Sequence, residues 1–349
     1  MNSSLDQVNE SRMKLSIIDQ SPVSTRMTAG QALANTIELA RLADRLGYER
    51  YWIAEHHDIP TLASPAPEIL IARLTGETQR IRLGSGGVML PHYSSLKVAE
   101  VFRMLHALAP GRIDLGVGRA PGGGPLVAFA LRRERTEGAI PDDFPEQLME
   151  VLAFLNREFL PQHPFSRLTV TPEMPGAPQV WLLGSSLWSA SAAAELGLPY
   201  AFAHFISPEP ARAALAHYHE HFKPSRYLSA PQAIAALSVI CAATDEEAVR
   251  LSASLRLVRR RIRSGERGLV PSVEEAMSEL GGGSAEAPNA DLSSRPYFAG
   301  SPETLKAQLT ALAAEWHLDE LMVVTIVHDH SARLRSYELL AGAFGLRAR

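Results

Sequence analysis

The chain has almost no cysteine: one residue, Cys241, among 349. A single thiol excludes an intramolecular disulfide framework and any cysteine-rich zinc or iron–sulfur centre. It stands in the apolar run 233–243, which reads as a buried bystander rather than a nucleophile. Excess charge of either sign is also missing, since 34 Lys and Arg stand against 38 Asp and Glu, for a formal net charge of −4. The short basic runs, Arg132-Arg133 and Arg259 to Arg261, are too local to form the electrostatic footprint of a nucleic-acid or anionic-membrane partner, so neither is expected. No apolar stretch approaches the ~20 residues of a bilayer crossing. The first twelve residues, MNSSLDQVNESR, hold no hydrophobic core of a secretion signal. Together these absences point to a cytoplasmic protein, with residues 1–13 a loose polar tail ahead of one domain over 14–349.

What is present is alternation. Short β-branched or apolar runs (15–20, 50–57, 80–90, 112–119, 179–186, 200–206, 233–242 and 320–327) alternate with longer segments of helical period. That is the pattern of repeated βα units on a parallel sheet, and eight runs is the number used by a closed (β/α)8 TIM barrel. A doubly wound open sheet is the rival architecture. The first helix shows how the segments start and stop: Thr28 with Gln31 forms a capping box, Leu33, Ile37, Leu39, Ala40, Leu42 and Leu46 form an apolar stripe, and Gly47 supplies a left-handed stop. Two segments break the rhythm and read as insertions after strands four and seven. They are the Gly/Pro-rich basic stretch 121–143 and the stretch 264–297, the second expected to be mobile.

Barrel chemistry gathers at the C-terminal ends of strands. Strand two ends in Glu55-His56-His57, strand three in Ser85-Gly86-Gly87, strand four in Gly118-Arg119 and strand five in Gly184-Ser185-Ser186. Arg119 is in phase with Ile113, Leu115 and Val117, and an arginine at a buried strand end wants an anion. Ser185, Ser186 and Ser189 read either as N-cap chemistry or as a phosphate site, because free N–H groups and the helix dipole meet there. Adjacent strand residues face opposite sides, so His56 and His57 cannot easily share one metal ion, and His328-Asp329-His330 completes no coordination set. No metal is therefore expected. One histidine of the pair is read as a proton-transfer group at the mouth and the other as structural.

Two motifs are absent in substance. GVGRAPG follows strand four, but its next glycine is misplaced and Pro121 with three glycines stands where a dinucleotide-binding helix would begin. No G-x-S-x-G elbow offers a hydrolase nucleophile.

Five pieces in order, WIAEHH (52–57), LGSGGVMLP (83–91), GRIDLGVGRAPGG (111–123), LLGSSLWSASAAAELGLPYAFAHF (182–205) and GSPETL (300–305), resemble the luciferase-like flavin monooxygenases, in the single-chain branch with a GRAPG motif. The likeness covers about 14–345. It implies a TIM barrel using reduced FMN, supplied by a separate NAD(P)H:flavin reductase, and O2 to oxygenate a small apolar organic substrate. It also implies a homodimer formed through helices two and three. By the same resemblance the flavin phosphate falls to Arg119 with Gly184, Ser185, Ser186 and Ser189, and a non-proline cis peptide lies under the ring at Gly86-Gly87, next to Ser85. Glu55 matches a flavin-contacting acid and His56 the catalytic histidine. The second phosphate arginine of the family falls near Glu146, so that contact is either missing or comes from Arg132, Arg133 or Arg135. Phe202, Phe205, Trp188 and Met89 are candidates for an apolar pocket. Relatives that use a deazaflavin, or that bind flavin without turnover, keep those two readings open. A metal-dependent barrel hydrolase is the remaining alternative.

Overall fold

Each strand-forming run becomes a strand whose alternate residues face two different cores. The structure, a computed structural model, describes residues 13–131, 142–281 and 291–347. The strands are β1 (Lys14–Asp19), β2 (Arg50–Ile53), β3 (Arg82–Met89), β4 (Ile113–Gly118), β5 (Gln179–Gly184), β6 (Tyr200–Phe202), β7 (Ala233–Cys241), β8 (Phe298–Gly300) and β9 (Glu320–Val324). All pairings are parallel, and β1 to β7 with β9 close on themselves through β6–β7, β7–β9 and β9–β1, which makes an eight-stranded (β/α)8 barrel. The open-sheet alternative is excluded by that closure. β8 is an addition the periodicity did not announce; it pairs with the upper part of β7, outside the ring.

The helices are α1 (Ala29–Leu46), α2 (Pro67–Thr75), α3 (Ser95–Leu108), α4 (Pro125–Leu131), α5 (Phe144–Asn156), α6 (Leu187–Leu196), α7 (Ala211–His221), α8 (Asp245–Arg263), α9 (Val273–Glu279), α10 (Pro302–Glu315) and α11 (His330–Ala343). α1 starts at the Thr28–Gln31 capping box and stops at Gly47, whose φ of 87° is the left-handed region open to glycine. The short helices α4 and α9 lie in the two segments that break the repeat. The expected tail 1–13, except Met13, lies outside the described residues, as do Arg132, Arg133 and Arg135.

Leu15, Ile17, Tyr51, Leu83, Leu115 and Val323 face the helices, whereas Ile18, Trp52, Trp181, Ile234 and Met322 fill the barrel interior. Trp52 and Trp181 meet edge to face with ring centroids 5.4 Å apart. The N-terminal end of the barrel is closed by charge. Arg50 Nη1 lies 2.9 Å from Asp114 Oδ2 and its Nε 2.9 Å from Glu320 Oε1, while Arg82 Nη2 lies 2.5 Å from Asp114 Oδ1. Ser16 Oγ donates to Glu320 and Trp52 Nε1 to Asp114, so the buried lone pairs are filled. Burial works against the Arg50 charge, but Asp114 and Glu320 outweigh it and raise its pKa.

A second clasp joins the first strand to the last helix. Arg333 Nη2 donates to Asp19 Oδ1 at 2.6 Å, Tyr51 donates its hydroxyl to the same carboxylate, and Arg333 Nε donates to the Thr325 carbonyl.

Candidate active site

The C-terminal mouth begins where β2 and β3 leave the barrel. The backbone N–H of Ala54 still donates to Asp19 of β1, but that of His56 donates to Ser64 in a loop, so strand pairing ends within the stretch that carries the polar triplet Glu55-His56-His57. Glu55 is buried and fully engaged: Oε1 accepts from Tyr93 Oη at 2.7 Å and pairs with His57 Nε2 at 2.7 Å, while Oε2 accepts the Met89 N–H at 3.0 Å. His56 contrasts with its neighbour. Its Nδ1 is buried with no hydrogen-bond partner, and burial, helped by His57, pushes its pKa down to about 4. An ordinary imidazole titrates near ~6.5; His56 is neutral at pH 7, because the pocket penalises its charge. Tyr93, which nothing in the sequence singled out, is raised in pKa by burial and by its bond to Glu55.

Beneath this cluster, β3 and β4 approach too closely for side chains. The Gly86-Gly87 peptide is cis. A Cβ on Gly87 would meet the Gly116 carbonyl oxygen at 2.9 Å, and one on Gly116 would collide with the backbone oxygen of Ser85. The Ser85 hydroxyl donates to Gly116 at 2.9 Å and ties the strands rather than facing the mouth. The loop after β4 is held from both sides, by the His57 N–H on Gly122 and by His92 Nε2 on the Pro121 carbonyl at 2.9 Å.

Arg119 leaves the strand after Gly118. The in-phase argument fails in detail, because Ile113, Leu115 and Val117 face the helices; Arg119 instead lies over the mouth. Its guanidinium sits 4.2 Å from the centroid of Trp188, at the start of α6, and Nη1 pairs with Asp142 at 3.0 Å. With 44% of its side chain exposed, Arg119 is accessible to an anion from solution. Ser186 is the N-cap of α6 but makes no side-chain capping bond, so the first N–H groups of that helix lack a side-chain cap next to Arg119. Ser185 is half-buried in the same turn. Ser189 differs from expectation: it is buried, with Oγ donating to Ser186 at 2.8 Å and lying 3.0 Å from Tyr200 Oη, and Gly184 has no Cβ because Ser189 fills that space. Glu146, where the family's second arginine falls, is exposed in the first turn of α5.

Of the candidate pocket residues, Phe202 is buried against the helices and does not reach the mouth. Phe205 packs against the barrel-interior cluster, and Met89 lies beside Gly122. The described part of 264–297 is fastened over one side. Val270 exchanges backbone bonds with Val23 and Thr25, Thr61 Oγ1 donates to Gly268, and Arg267 pairs with Asp58. Among the described residues, no group of three or more His, Cys, Asp or Glu is placed to hold a metal ion, and no helix is long and apolar enough to cross a membrane.

A closed parallel barrel whose open end gathers a tightly packed glycine pair, a histidine pair and a half-exposed arginine defines a TIM-barrel enzyme. The chain belongs to the luciferase-like monooxygenase family, whose profile it matches over residues 13–320, and it is a flavin-dependent monooxygenase. It is 47% identical to the protein in the crystal structure of apo-MsnO8, with a TM-score of 0.87 over 97% of this chain and 100% of that one. It is 45% identical to the uncharacterized protein YwcH of Bacillus subtilis (strain 168), over 95% of this chain and 99% of that one. It is 37% identical to the N-acetyl-S-alkylcysteine monooxygenase of the same organism, over 95% of this chain and 98% of the relative.

Proposed function

We propose that the protein is a cytoplasmic FMN-dependent monooxygenase, residues 14–349 acting as one catalytic unit, which receives reduced FMN from a separate NAD(P)H:flavin reductase and uses O2 to oxygenate a small apolar organic molecule. The observation that carries this reading is Arg119 stacked on Trp188 at the start of α6, where no side chain caps the helix. A cation, free N–H groups and a helix dipole converge there, as a flavin phosphate requires. The remaining residues fit the group as well. The orphaned Nδ1 of His56 is a ready hydrogen-bond partner for a bound ring, and Gly86 and Gly87, packed against Trp52 and Gly116 with no room for side chains, bring bare backbone close beside it.

Bound reduced FMN supplies the two electrons and the reaction with O2. The chain's own part is to hold the phosphate with Arg119 and the turn at Ser185 and Ser186, to orient the ring over Gly86-Gly87, and to keep water from the reacting atoms. Exposed Leu187 and Ile206, with half-buried Phe205, suit an apolar substrate group. An S-alkyl thioether is a sensible first compound, given the activity named for one relative. A homodimer through α2 and α3 is supported by Ile69, Met104 and Leu108, large apolar side chains exposed on those helices.

The test supplies the purified protein with FMN, a flavin reductase, NADH and isotopically labelled O2, using N-acetyl-S-methylcysteine and more apolar sulfides. Incorporation of one labelled oxygen atom into product, dependent on the reductase, is the expected result. Rapid bleaching of bound FMN by NADH without reductase would reject the separate supply of electrons. A lack of FMN binding would reject the cofactor assignment.

A further inference from the structure

The chain between α5 and β5, residues 157–178, is several times longer than the ~2–6 residues of a plain helix-to-strand turn, and its one regular piece is a 3-10 turn at Pro164–Arg167. Aromatic rings fold it back onto the end of α5. Phe154 and Phe165 stack with centroids 5.6 Å apart, Phe159 meets Phe154 edge-on at 4.7 Å, and His163 stacks on Phe159 at 4.5 Å. The three phenylalanines and Val170 wall a cavity of about 180 Å³, with Arg157 and Arg167 also lining it. An apolar cavity of about 150 Å³ is enough to hold benzene.

Arg157 also borders a second, polar cavity of about 580 Å³ that reaches Arg103 of α3. Arg103 is only 4% exposed. Its Nη1 donates to the carbonyls of Met174 at 2.9 Å and Gly176 at 2.7 Å, and its Nη2 to that of Leu155 at 3.0 Å, while Nε is buried without a partner. Burial, helped by the Arg157 charge, pushes its pKa down. A buried guanidinium held by carbonyls alone keeps a charge that no acid balances. Glu173 pairs with Arg157, but both side chains are more than half exposed and such a pair yields readily to a ligand. Glu158 is occupied by Arg226 and the Tyr227 hydroxyl. Arg167 is exposed and has no ion-pair partner among the described residues. The two cavities are therefore joined at Arg157, apolar on one side and positive on the other.

We propose that they form a second ligand site, which takes an aromatic carboxylate: the ring enters the slot between Phe154, Phe159 and Phe165, and the carboxylate lies on Arg157 and Arg167 in the field of Arg103. The guanidinium fork matches a carboxylate, and the slot has room for a single ring. The site stands apart from the barrel mouth, because residues 157–178 precede β5 whereas the turn of Ser185 and Ser186 follows it, about 20 Å further along. It does not depend on the flavin reading.

Benzoate is the probe, titrated calorimetrically into the whole protein with and without FMN. Benzyl alcohol supplies the ring without the charge, and inorganic phosphate a charge without the ring. Benzoate should bind with a Kd of about 1 mM or below, about tenfold or more tighter than either, and equally well with FMN present. Arg167→Ala and Arg157→Asn should each weaken it about 3- to 10-fold, asparagine being chosen because position 157 has a φ of 58°. Arg167→Glu, a reversal on an exposed side chain, should abolish binding while the melting temperature without ligand stays as in the parent. Arg119→Ala should leave benzoate affinity unchanged. No heat of binding at about 10 mM benzoate would overturn the proposal. So would equal affinity for benzyl alcohol or for phosphate, since each removes half of the recognition. Loss of binding in Arg119→Ala with retention in Arg167→Glu would move the ligand to the mouth and reject this site.

Discussion

The two ends of the barrel hold charge in opposite ways. At the closed end, Arg50, Arg82, Asp114 and Glu320 are matched charge for charge, and Ser16 and Trp52 fill remaining positions. At the open end, Glu55 is satisfied, but His56 keeps an orphaned nitrogen, Glu68 is pushed toward its neutral form, and Arg119 is held only by an exposed pair with Asp142 that leaves 44% of its side chain open to solvent. A completed network has nothing left to bind with, whereas an incomplete one stores unmet hydrogen bonds that a ligand can meet. The difference separates the end that holds the barrel shut from the end that still has groups to offer a ligand.

That separation can be broken in order of size. Asp114→Ala should have the largest effect, because it leaves the buried Arg50 and the half-buried Arg82 without their shared carboxylate; about 3–5 kcal/mol of stability should be lost in denaturant titrations, while the folded fraction still binds FMN. A comparable loss of binding would show that the two ends are coupled. Next in size is an acid effect at the open end. The folded state holds His56 at about 4 against an ordinary 6.5, so the unfolded chain takes up the proton first. Stability is then full above the unfolded value and falls as pH drops from roughly 6.5 to 4, by at most about 3 kcal/mol. His56→Gln should flatten that part of the pH dependence, and an unchanged slope would assign the acid sensitivity to other groups. The smallest effect is confined to binding. Arg119→Ala should weaken FMN by roughly 10- to 150-fold, equivalent to about 1.5–3 kcal/mol, and leave riboflavin binding and thermal stability as they were. Equal losses for FMN and riboflavin would remove the phosphate from Arg119.

The barrel was legible because each ring strand is an apolar run of its own between helical segments. Run 50–57 was too long as a strand reading because pairing stops after Ala54, whose N–H still donates to Asp19 of β1, and the next bond, from the His56 N–H, goes to Ser64 in a loop. β8 was not legible, being three residues paired only to an extension of β7. At the site, the motif positions bring Arg119, Ser185 and Ser186 together at the start of α6. The directions of the Ser85 and Ser189 hydroxyls were beyond sequence reading, since a rotamer choice decides whether such a group faces a ligand or a neighbouring carbonyl. Tyr93 escaped for another reason. It reaches Glu55 across 38 residues of chain, and no local spacing marks that contact.

The Asp19–Arg333 clasp joins residues 314 positions apart, and the parallel pairing of β1 with β9 spans a similar length of chain. Until β9 and α11 have left the ribosome, β1 has β2 on one side and an open edge on the other. Closure therefore belongs to the last moments of synthesis or just after, and its loop-closure entropy is met only once the whole chain is available. A nascent chain halted before residue 320 carries an unpaired β1 edge, the kind of surface that chaperones cover and that neighbouring chains add to.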